Sequence, residues 1–156
     1  MKIYLLIALI SIISLFGNTC KAQPKLPEKM PDDFTIVLVE RSKDSQRISY
    51  TIDGEKLVVG RGSGWHNRSK TETKIPLQTV ENLYQSVVEN RFDEIKNYSS
   101  DKNPPVEKDV SITVSFGKTT ITVYDGFLHL SAEDSQRFEA IRQTILDLAK
   151  LEEKKN

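Results

Sequence analysis

Apolar residues dominate the start of the chain and then give way to two kinds of periodic pattern. From Ile3 to Phe16 the sequence is apolar except for two serines, and Lys2 precedes this stretch. A positive charge, a short apolar stretch and then a few small or polar residues, here Gly17 to Thr19, are typical of a secretory signal peptide. The stretch is shorter than the roughly 20 apolar residues that a membrane-spanning helix needs. The pattern therefore predicts export, with residues 1–19 as the signal peptide.

The second pattern, an alternation of apolar and polar residues, predicts β-strands. Apolar and polar residues alternate most clearly from Arg47 to Asp53, as in a half-buried strand. Asp53-Gly54 favours a type I′ turn into a returning strand, and Gly117-Lys118 favours a type II′ turn between two later strands. The predicted strands are Thr35–Glu40, Arg47–Asp53, Lys56–Val59, Val110–Phe116 and Thr119–Tyr124, with a further short one at Phe127–Leu130.

The third pattern predicts two amphipathic helices. Pro76 opens the first helix and Ser131 caps the second. Apolar residues recur in each at spacings of three and four, which puts them on one stripe of a helix. The stripes are Leu77, Val80, Leu83, Tyr84, Val87 and Val88 in the first helix, and Phe138, Ile141, Ile145 and Leu148 in the second.

The order of these elements, βββαββ(β)α, predicts the fold class. It indicates an α+β domain in which an antiparallel sheet, built from hairpins, has two amphipathic helices packed on one face. A single domain at residues 32–151 accommodates all of the elements, and residues 152–156 form a charged C-terminal tail.

Cys20 is the single cysteine, so the chain cannot form an internal disulfide. The segment around it resembles a bacterial lipoprotein signal, in which the cysteine becomes the first residue of the mature chain and carries acyl groups such as palmitate. The resemblance implies lipidation at Cys20 and an anchor in a membrane. Gly17 and Thr19 depart from the usual residues of that signal. Ordinary cleavage after Ala22, which gives a soluble secreted or periplasmic protein, is the alternative.

Residues 20–31 are predicted to be the lipidated cysteine and a tether rich in proline and lysine. Prolines at this density favour extended backbone, and such a spacer holds a domain a few nanometres from a membrane at about 3.1 Å per residue. No acidic cluster follows Cys20, which favours a position facing the periplasm.

The charge of the chain limits its partners. Lys and Arg together number 22, as do Asp and Glu, so the formal net charge is zero. No basic excess indicates nucleic acid. The predicted partners are the membrane, through the lipid anchor, and a protein or a glycan.

A long polar segment from Gly60 to Lys74 is the predicted binding site. It is interpreted as a loop, and loops of this length are usually functional or disordered. It contains the single tryptophan, Trp65, beside His66, with several cations around them. An exposed aromatic ring among cations can stack on a sugar or an apolar group while the cations bind carboxylates or phosphates. The candidate ligand-binding residues are Arg61, Trp65, His66 and Arg68.

No motif in the sequence predicts a catalytic residue, a metal site or a cofactor. Neither His66 nor His129 lies in a metal-binding motif, and the glycines from Gly60 to Gly64 lack the spacing of a phosphate-binding loop. An enzyme would need a site assembled from distant residues, such as His129 with Asp109 or Glu107.

The domain resembles a family of small secreted or lipid-anchored bacterial domains of Bacteroidetes type, which has no assigned function. The resemblance lies in the order of the elements, in the two hairpins and in the end of the first helix, from Leu83 to Phe92. The resemblance covers roughly Phe34 to Leu151 and implies no catalytic residues. Cysteines that are frequent in the first hairpin loop of that family are absent here.

These observations together predict a membrane-tethered, non-enzymatic binding or interaction module of the bacterial cell envelope. An envelope hydrolase and an inhibitor or immunity-type protein are the alternatives.

Overall fold

The computed structural model describes residues 24–42, 44–63, 66–98, 108–126 and 129–153. Within β4, β5 and the last helix, the side chains of residues 66–68, 108, 152 and 153 lie outside this description. The strands are β1 (Thr35–Ser42), β2 (Gln46–Asp53), β3 (Lys56–Ser63), β4 (His66–Lys74), β5 (Lys108–Phe116) and β6 (Thr119–Asp125). The helices are α1 (Leu77–Glu89) and α2 (Ala132–Glu153), and a short 3₁₀ turn covers Phe92–Glu94.

All six strands form one antiparallel sheet in the order β4-β3-β2-β1-β5-β6. β1 is central, and the chain builds the sheet outwards from it as a meander on one side and a hairpin on the other. The predicted α+β class, with an antiparallel sheet of hairpins and two helices, is confirmed.

One face of the sheet carries the core. Along β1 the residues at alternate positions are buried, and Ile36 and Leu38 are fully inaccessible to solvent. The helix stripes pack on the same face, with Phe138, Ile141 and Ile145 also at 0% exposure. Leu77 departs from its predicted stripe, because it is 46% exposed at the start of α1.

The segment from Gly60 to Lys74 is not a loop, and that prediction is wrong. β3 continues to Ser63, β4 begins at His66, and the two strands pair along their lengths. The sequence signal failed because β4 is an edge strand with polar residues at every position, so no alternation marks it. The meander before α1 therefore has four strands instead of the three predicted.

Two further local predictions differ from the structure. The turn after β2 has Gly54 and Glu55 at its centre, and only Gly54 has a positive φ, at 52°. This pattern excludes type I′, which requires positive φ at both central residues. A strand at Phe127–Leu130 was also predicted, but His129 forms a single bridge with Tyr98, and residues 127 and 128 lie outside the described part.

The part of the predicted tether that the structure describes packs on the domain, contrary to the expectation of a spacer without packing contacts. Leu26 and Met30 are partly buried against the core. The Leu26 N–H donates to Asp93 Oδ2 at 3.1 Å, and the Tyr84 hydroxyl donates to the Pro27 carbonyl at 2.6 Å. The prolines favour extended backbone, and these contacts hold that backbone on the surface. Cys20 lies outside the described residues.

The buried positions of the sheet give the first testable prediction. Ile112 and Ile145 are at 0% exposure, on β5 and α2. Replacing either with alanine should lower the free energy of unfolding by about 2–5 kcal/mol, because a buried cavity remains. Denaturant unfolding measures the loss. Val37→Ala, on the opposite and half-exposed face of β1, is the control and should cost clearly less. Equal losses at Val37 and Ile112 would contradict the assignment of the two faces.

The packed N-terminal segment gives the second prediction. A chain that begins at Asp32 should be less stable than one that begins at Pro24, by about 2–4 kcal/mol, from the lost apolar burial and hydrogen bonds. Thermal and urea unfolding of the two chains measure the difference. Indistinguishable unfolding curves would mean that the segment does not contribute to folding.

The same segment makes stability depend on alkaline pH. Burial, and then the nearby Asp93 carboxylate, raise the pKa of Tyr84 above its ordinary value. The folded state therefore favours the neutral phenol, so this contribution is complete below the unfolded pKa and is lost as the pH rises through the folded pKa. Tyr84→Phe should remove this alkaline loss of stability, which separates it from the general effect of high pH.

Candidate functional site

The face of the sheet opposite the helices is the main surface that the fold leaves uncovered among the described residues. Its centre lies across β3, β2, β1, β5 and β6 and carries uncharged residues. These are Val58, Gly60, Ser49, Thr51, Val37, Val39, Ser111, Thr113, Thr122 and Tyr124. Most are half-buried by their neighbours, and Ser49 is only 5% exposed. We call this surface the helix-free face.

Hydroxyl groups link neighbouring strands across the helix-free face. The Oγ1 atoms of Thr113 and Thr122 are 3.1 Å apart, and Ser115 Oγ is 3.3 Å from Thr120 Oγ1. Such cross-strand hydroxyl pairs fix side-chain rotamers on a surface that otherwise faces water. The centre of the face is therefore uncharged and carries hydroxyl groups that are paired across strands.

Cations gather at one corner of this face. Arg41 and Arg47 are direct cross-strand neighbours, and Gly62 follows Arg47 in the same row on β3. One row away, Lys70 pairs with Gly60. We call Arg41, Arg47 and Lys70 the basic corner. Gly60 and Gly62, which lie on the strand between Arg47 and Lys70, have no side chain, and Gly60 is buried by its neighbours.

One carboxylate adjoins the basic corner. Asp109 is the cross-strand neighbour of Arg41 on the other side, and its Oδ2 is 3.5 Å from Arg41 Nη1. Both side chains are about one-third exposed, at 35% and 29%. Two arginines directly opposite each other are like charges, and Asp109 is a carboxylate within ion-pair distance of one of them. The corner therefore brings cationic hydrogen-bond donors together on one part of the face, and such donors suit carboxylates.

The opposite end of the same face has charges that are paired. Lys56 Nζ is 3.1 Å from Glu72 Oε1, and Lys74 Nζ is 3.1 Å from Glu55 Oε2. Exposed pairs of this kind contribute little to stability, but they cancel each other's field at a distance. Both ends of the helix-free face therefore contain cations, and the two lysines at this end each lie 3.1 Å from a carboxylate oxygen.

The four residues predicted from the sequence lie at the end of the β3–β4 hairpin. Arg61 is exposed on β3, at a position that faces the helix side of the sheet. His66 and Arg68 belong to β4, but their side chains lie outside the described part, as does Trp65 altogether. The register brings this hairpin end next to the basic corner, because Gly62 pairs with both Arg47 and Asn67.

A β-bulge distinguishes Arg68 from its neighbours. Arg61 pairs with Ser69 whereas Gly62 pairs with Asn67, so Arg68 is the extra residue on β4. A bulge bends its strand and redirects a side chain, and bulges are frequent beside functional sites. The bulge therefore lies at the same end of the sheet as the basic corner.

The residues named for an assembled catalytic site are not brought together as a described cluster. Asp109 contacts Arg41 at the basic corner, while His129 pairs through its backbone with Tyr98. Glu107 lies outside the described residues. Among the described residues, no three His, Cys, Asp or Glu side chains are placed to hold a metal ion.

A groove of about 530 Å³ lies between the packed N-terminal segment, Gly54 and α1. Its lining combines the apolar side chains of Phe34, Leu77 and Tyr84 with charged ones such as Lys29 and Glu81. Phe34 and Tyr84 meet edge to face with their ring centroids 4.9 Å apart. The groove has the size of a small-ligand site, but its wall is the segment that leads towards Cys20, and its charges have both signs.

A buried ion pair joins the sheet to α2. Arg142 Nε donates to Glu40 Oε1 at 2.8 Å, and Arg142 Nη1 donates to Glu139 Oε1 at 2.7 Å. The Glu40 and Arg142 side chains are only 14% and 17% exposed. This pair positions the helix, and its saturated hydrogen bonds leave little for a ligand.

Sequence comparisons identify no relative from which a function could be transferred. No protein-family model matches the chain, and no curated protein matches it. No helix in the described part of the chain is long and apolar enough to cross a membrane. Function is therefore inferred from the geometry of the domain and from the N-terminal sequence.

Proposed function

We propose that this protein is an exported envelope protein, anchored to a membrane through acyl groups on Cys20 and facing the periplasm, whose domain is a non-enzymatic binding module. The export and anchoring are supported by the charged start, the short apolar stretch and the position of the single cysteine. The binding part is supported by one observation. The helix-free face has an uncharged centre and a basic corner beside it.

The partner that suits this surface is a protein with a flat, uncharged contact area and carboxylates at its margin. Valine and threonine side chains that are already half-buried lose little conformational freedom on contact, so they favour a flat apolar interface. Arg41, Arg47 and Lys70 supply donors for carboxylates at one side. Charges of this kind determine orientation and association rate more than affinity.

Arg61, Trp65, His66 and Arg68 extend the proposed contact surface at the end of the β3–β4 hairpin. Trp65 stands between the end of β3 and the start of β4. An aromatic side chain beside arginines is a frequent centre of protein interfaces, because it buries a large area at small entropic cost. The neighbouring basic corner supports this assignment, because both features are at the same end of the sheet.

The anchor gives the third prediction. Cys20→Ser should move the protein from the membrane fraction to the soluble fraction and abolish incorporation of labelled palmitate. Several acyl chains hold a protein firmly to a bilayer, whereas the folded domain alone does not. Fractionation in the native host measures the first effect and metabolic labelling the second. A wild-type protein that is soluble and begins at Gln23 would contradict lipidation.

The basic corner gives the fourth prediction, with poly-L-glutamate as the acidic probe. Arg47→Gln combined with Lys70→Gln should lower the salt concentration at which the protein elutes from immobilised poly-L-glutamate, because screened charge contacts are lost. The matched control is Lys56→Gln with Lys74→Gln, which removes the same net charge from the other end of the face and should change elution much less. Equal changes would mean that no acidic-partner site exists at this corner.

The fluorescence of Trp65 provides an independent measurement of poly-L-glutamate binding. It is the single tryptophan, so its fluorescence reports on one place in the chain. Addition of poly-L-glutamate should change its emission in the wild type and in the control pair, but not in the Arg47 and Lys70 pair. Thermal melting of each variant checks that the fold is retained.

A further inference from the structure

The two edges of the sheet differ in how they are protected against pairing. β4 carries Arg68, Lys70, Glu72 and Lys74 and contains the bulge. Charges and bulges are the devices by which edge strands avoid added strands. β6, from Thr119 to Asp125, has its one charged residue at its last position, and the TTITVY before it has high β-propensity. The unprotected edge is therefore β6.

The backbone groups that face outwards from β6 follow from its hairpin. Gly117 and Lys118 form a two-residue connection, so the flanking Phe116 and Thr119 are a hydrogen-bonded pair. Alternation then turns the N–H and C=O groups of Thr120, Thr122 and Tyr124 away from β5. The Asn97 side chain confirms this, because its Oδ1 accepts from the Tyr124 N–H at 2.9 Å and its Nδ2 donates to the Tyr124 carbonyl at 2.6 Å.

The Asn97 amide closes one end of the edge, and within the described part of the chain nothing pairs with the rest. It occupies the backbone groups of Tyr124 as a neighbouring strand would. Among the described residues, no group hydrogen-bonds to the outward backbone of Thr120 or Thr122. Thr120 is exposed and Thr122 is half-exposed. The open part of the edge is therefore a short strand that can form two further hydrogen-bonded pairs.

We propose that two copies of this chain associate by antiparallel pairing of β6 with β6, about a twofold axis beside Ile121. In this register Thr120 of each copy pairs with Thr122 of the other, and each pair exchanges both backbone hydrogen bonds. Ile121 meets its own counterpart on the core side of the sheet. The paired segment is limited to Thr120–Thr122, because Asn97 occupies the outward backbone groups of Tyr124, which would otherwise face Lys118 of the other copy.

The side chains favour a second copy as the occupant of this edge. A register centred on Ile121 places threonine opposite threonine, so no like charges meet. Thr120 and Thr122 already belong to the hydroxyl pairs with Ser115 and Thr113, and the second copy continues that row. Ile121, at 8% exposure, loses its remaining contact with water against an identical side chain.

The symmetry also agrees with an anchor on each copy, a point that rests on the function proposed above. The twofold axis of an antiparallel edge pairing is perpendicular to the sheet, so both copies have their helices on the same side. The N-terminal segment contacts Tyr84 and Asp93, which belong to that helix side. Both segments therefore leave from one side of the pair, and both helix-free faces point to the other.

The test is the oligomeric state of the full mature chain with Cys20→Ser, so that no acyl group contributes. Sedimentation should show a concentration-dependent dimer. Thr120→Lys with Thr122→Lys should weaken dimerisation by about tenfold, because lysine then faces lysine in both pairs. Thr120→Glu with Thr122→Glu should do the same. An equimolar mixture of the two variants should form mixed dimers, which shows that both are folded.

The register is tested by a mixed-charge variant. Thr120→Lys with Thr122→Glu should dimerise with itself, because each lysine then faces a glutamate of the second copy, whereas a register centred on Thr120 would place lysine opposite lysine. Thr71→Lys with Thr73→Lys on β4 is the control and should leave the dimer intact. If the wild type is monomeric at every concentration, β6 does not pair with β6 of a second copy, and the proposal is overturned. Failure of the mixed-charge variant to dimerise overturns it as well.

Discussion

The pairing of β1 on both sides is the interaction on which the rest of the structure depends. Ile36 lies between Ile52 and Val114, and Leu38 lies in the next row between Tyr50 and Ile112. These two rows are the middle of the core, and the helices pack on them. At the end of the same strand Glu40 holds Arg142 of α2 in a nearly buried ion pair. Loss of one partner would leave a buried charge without compensation, which is strongly destabilising. β1 therefore fixes both the sheet register and the position of the second helix.

A core on one side of a sheet explains which elements the sequence could predict. β2, β5 and β6 alternate between apolar residues on the core side and mostly polar ones, so they have the period of two. β1 is apolar at four successive positions, Ile36 to Val39, and its β-branched residues indicate a strand instead. The same one-sidedness gives α1 and α2 their single stripes. β4 has no such signal, because it lies at the edge and its positions are polar on both faces. The packing of the N-terminal segment on the domain was not predicted, for another reason. Its prolines and lysines dominate the composition, while the packing depends on Leu26 and Met30 alone.

The candidate site was only partly accessible to prediction. The cations between Gly60 and Lys74 were visible as a local cluster, and the positions of Arg61, Arg68 and Lys70 do lie towards one end of the sheet, whereas Lys74 lies at the other. Arg41 and Arg47 were missed, because Arg41 lies just beyond the first predicted strand, Arg47 begins the second, and their proximity arises from the pairing of β1 with β2. Register between strands is a non-local property, so the sequence near one residue does not reveal its cross-strand neighbour. The alternation did contain a partial signal, since it places Arg47 on the face opposite the buried Ile48 side.

The packed N-terminal segment connects the proposed anchor with the orientation of the domain. If residues 20–31 were a free spacer, the domain could turn and move several nanometres from the membrane. Leu26 is instead held by Asp93, so only the chain from Cys20 to Leu26 separates the acyl groups from the fold. Even fully extended, that length spans about 20 Å. The helix side of the domain then stays near the bilayer, and the helix-free face with its basic corner is turned away. An anchor at Cys20, as proposed, would therefore turn the proposed binding surface away from the bilayer, because the contacts that hold the segment lie on the helix side of the domain.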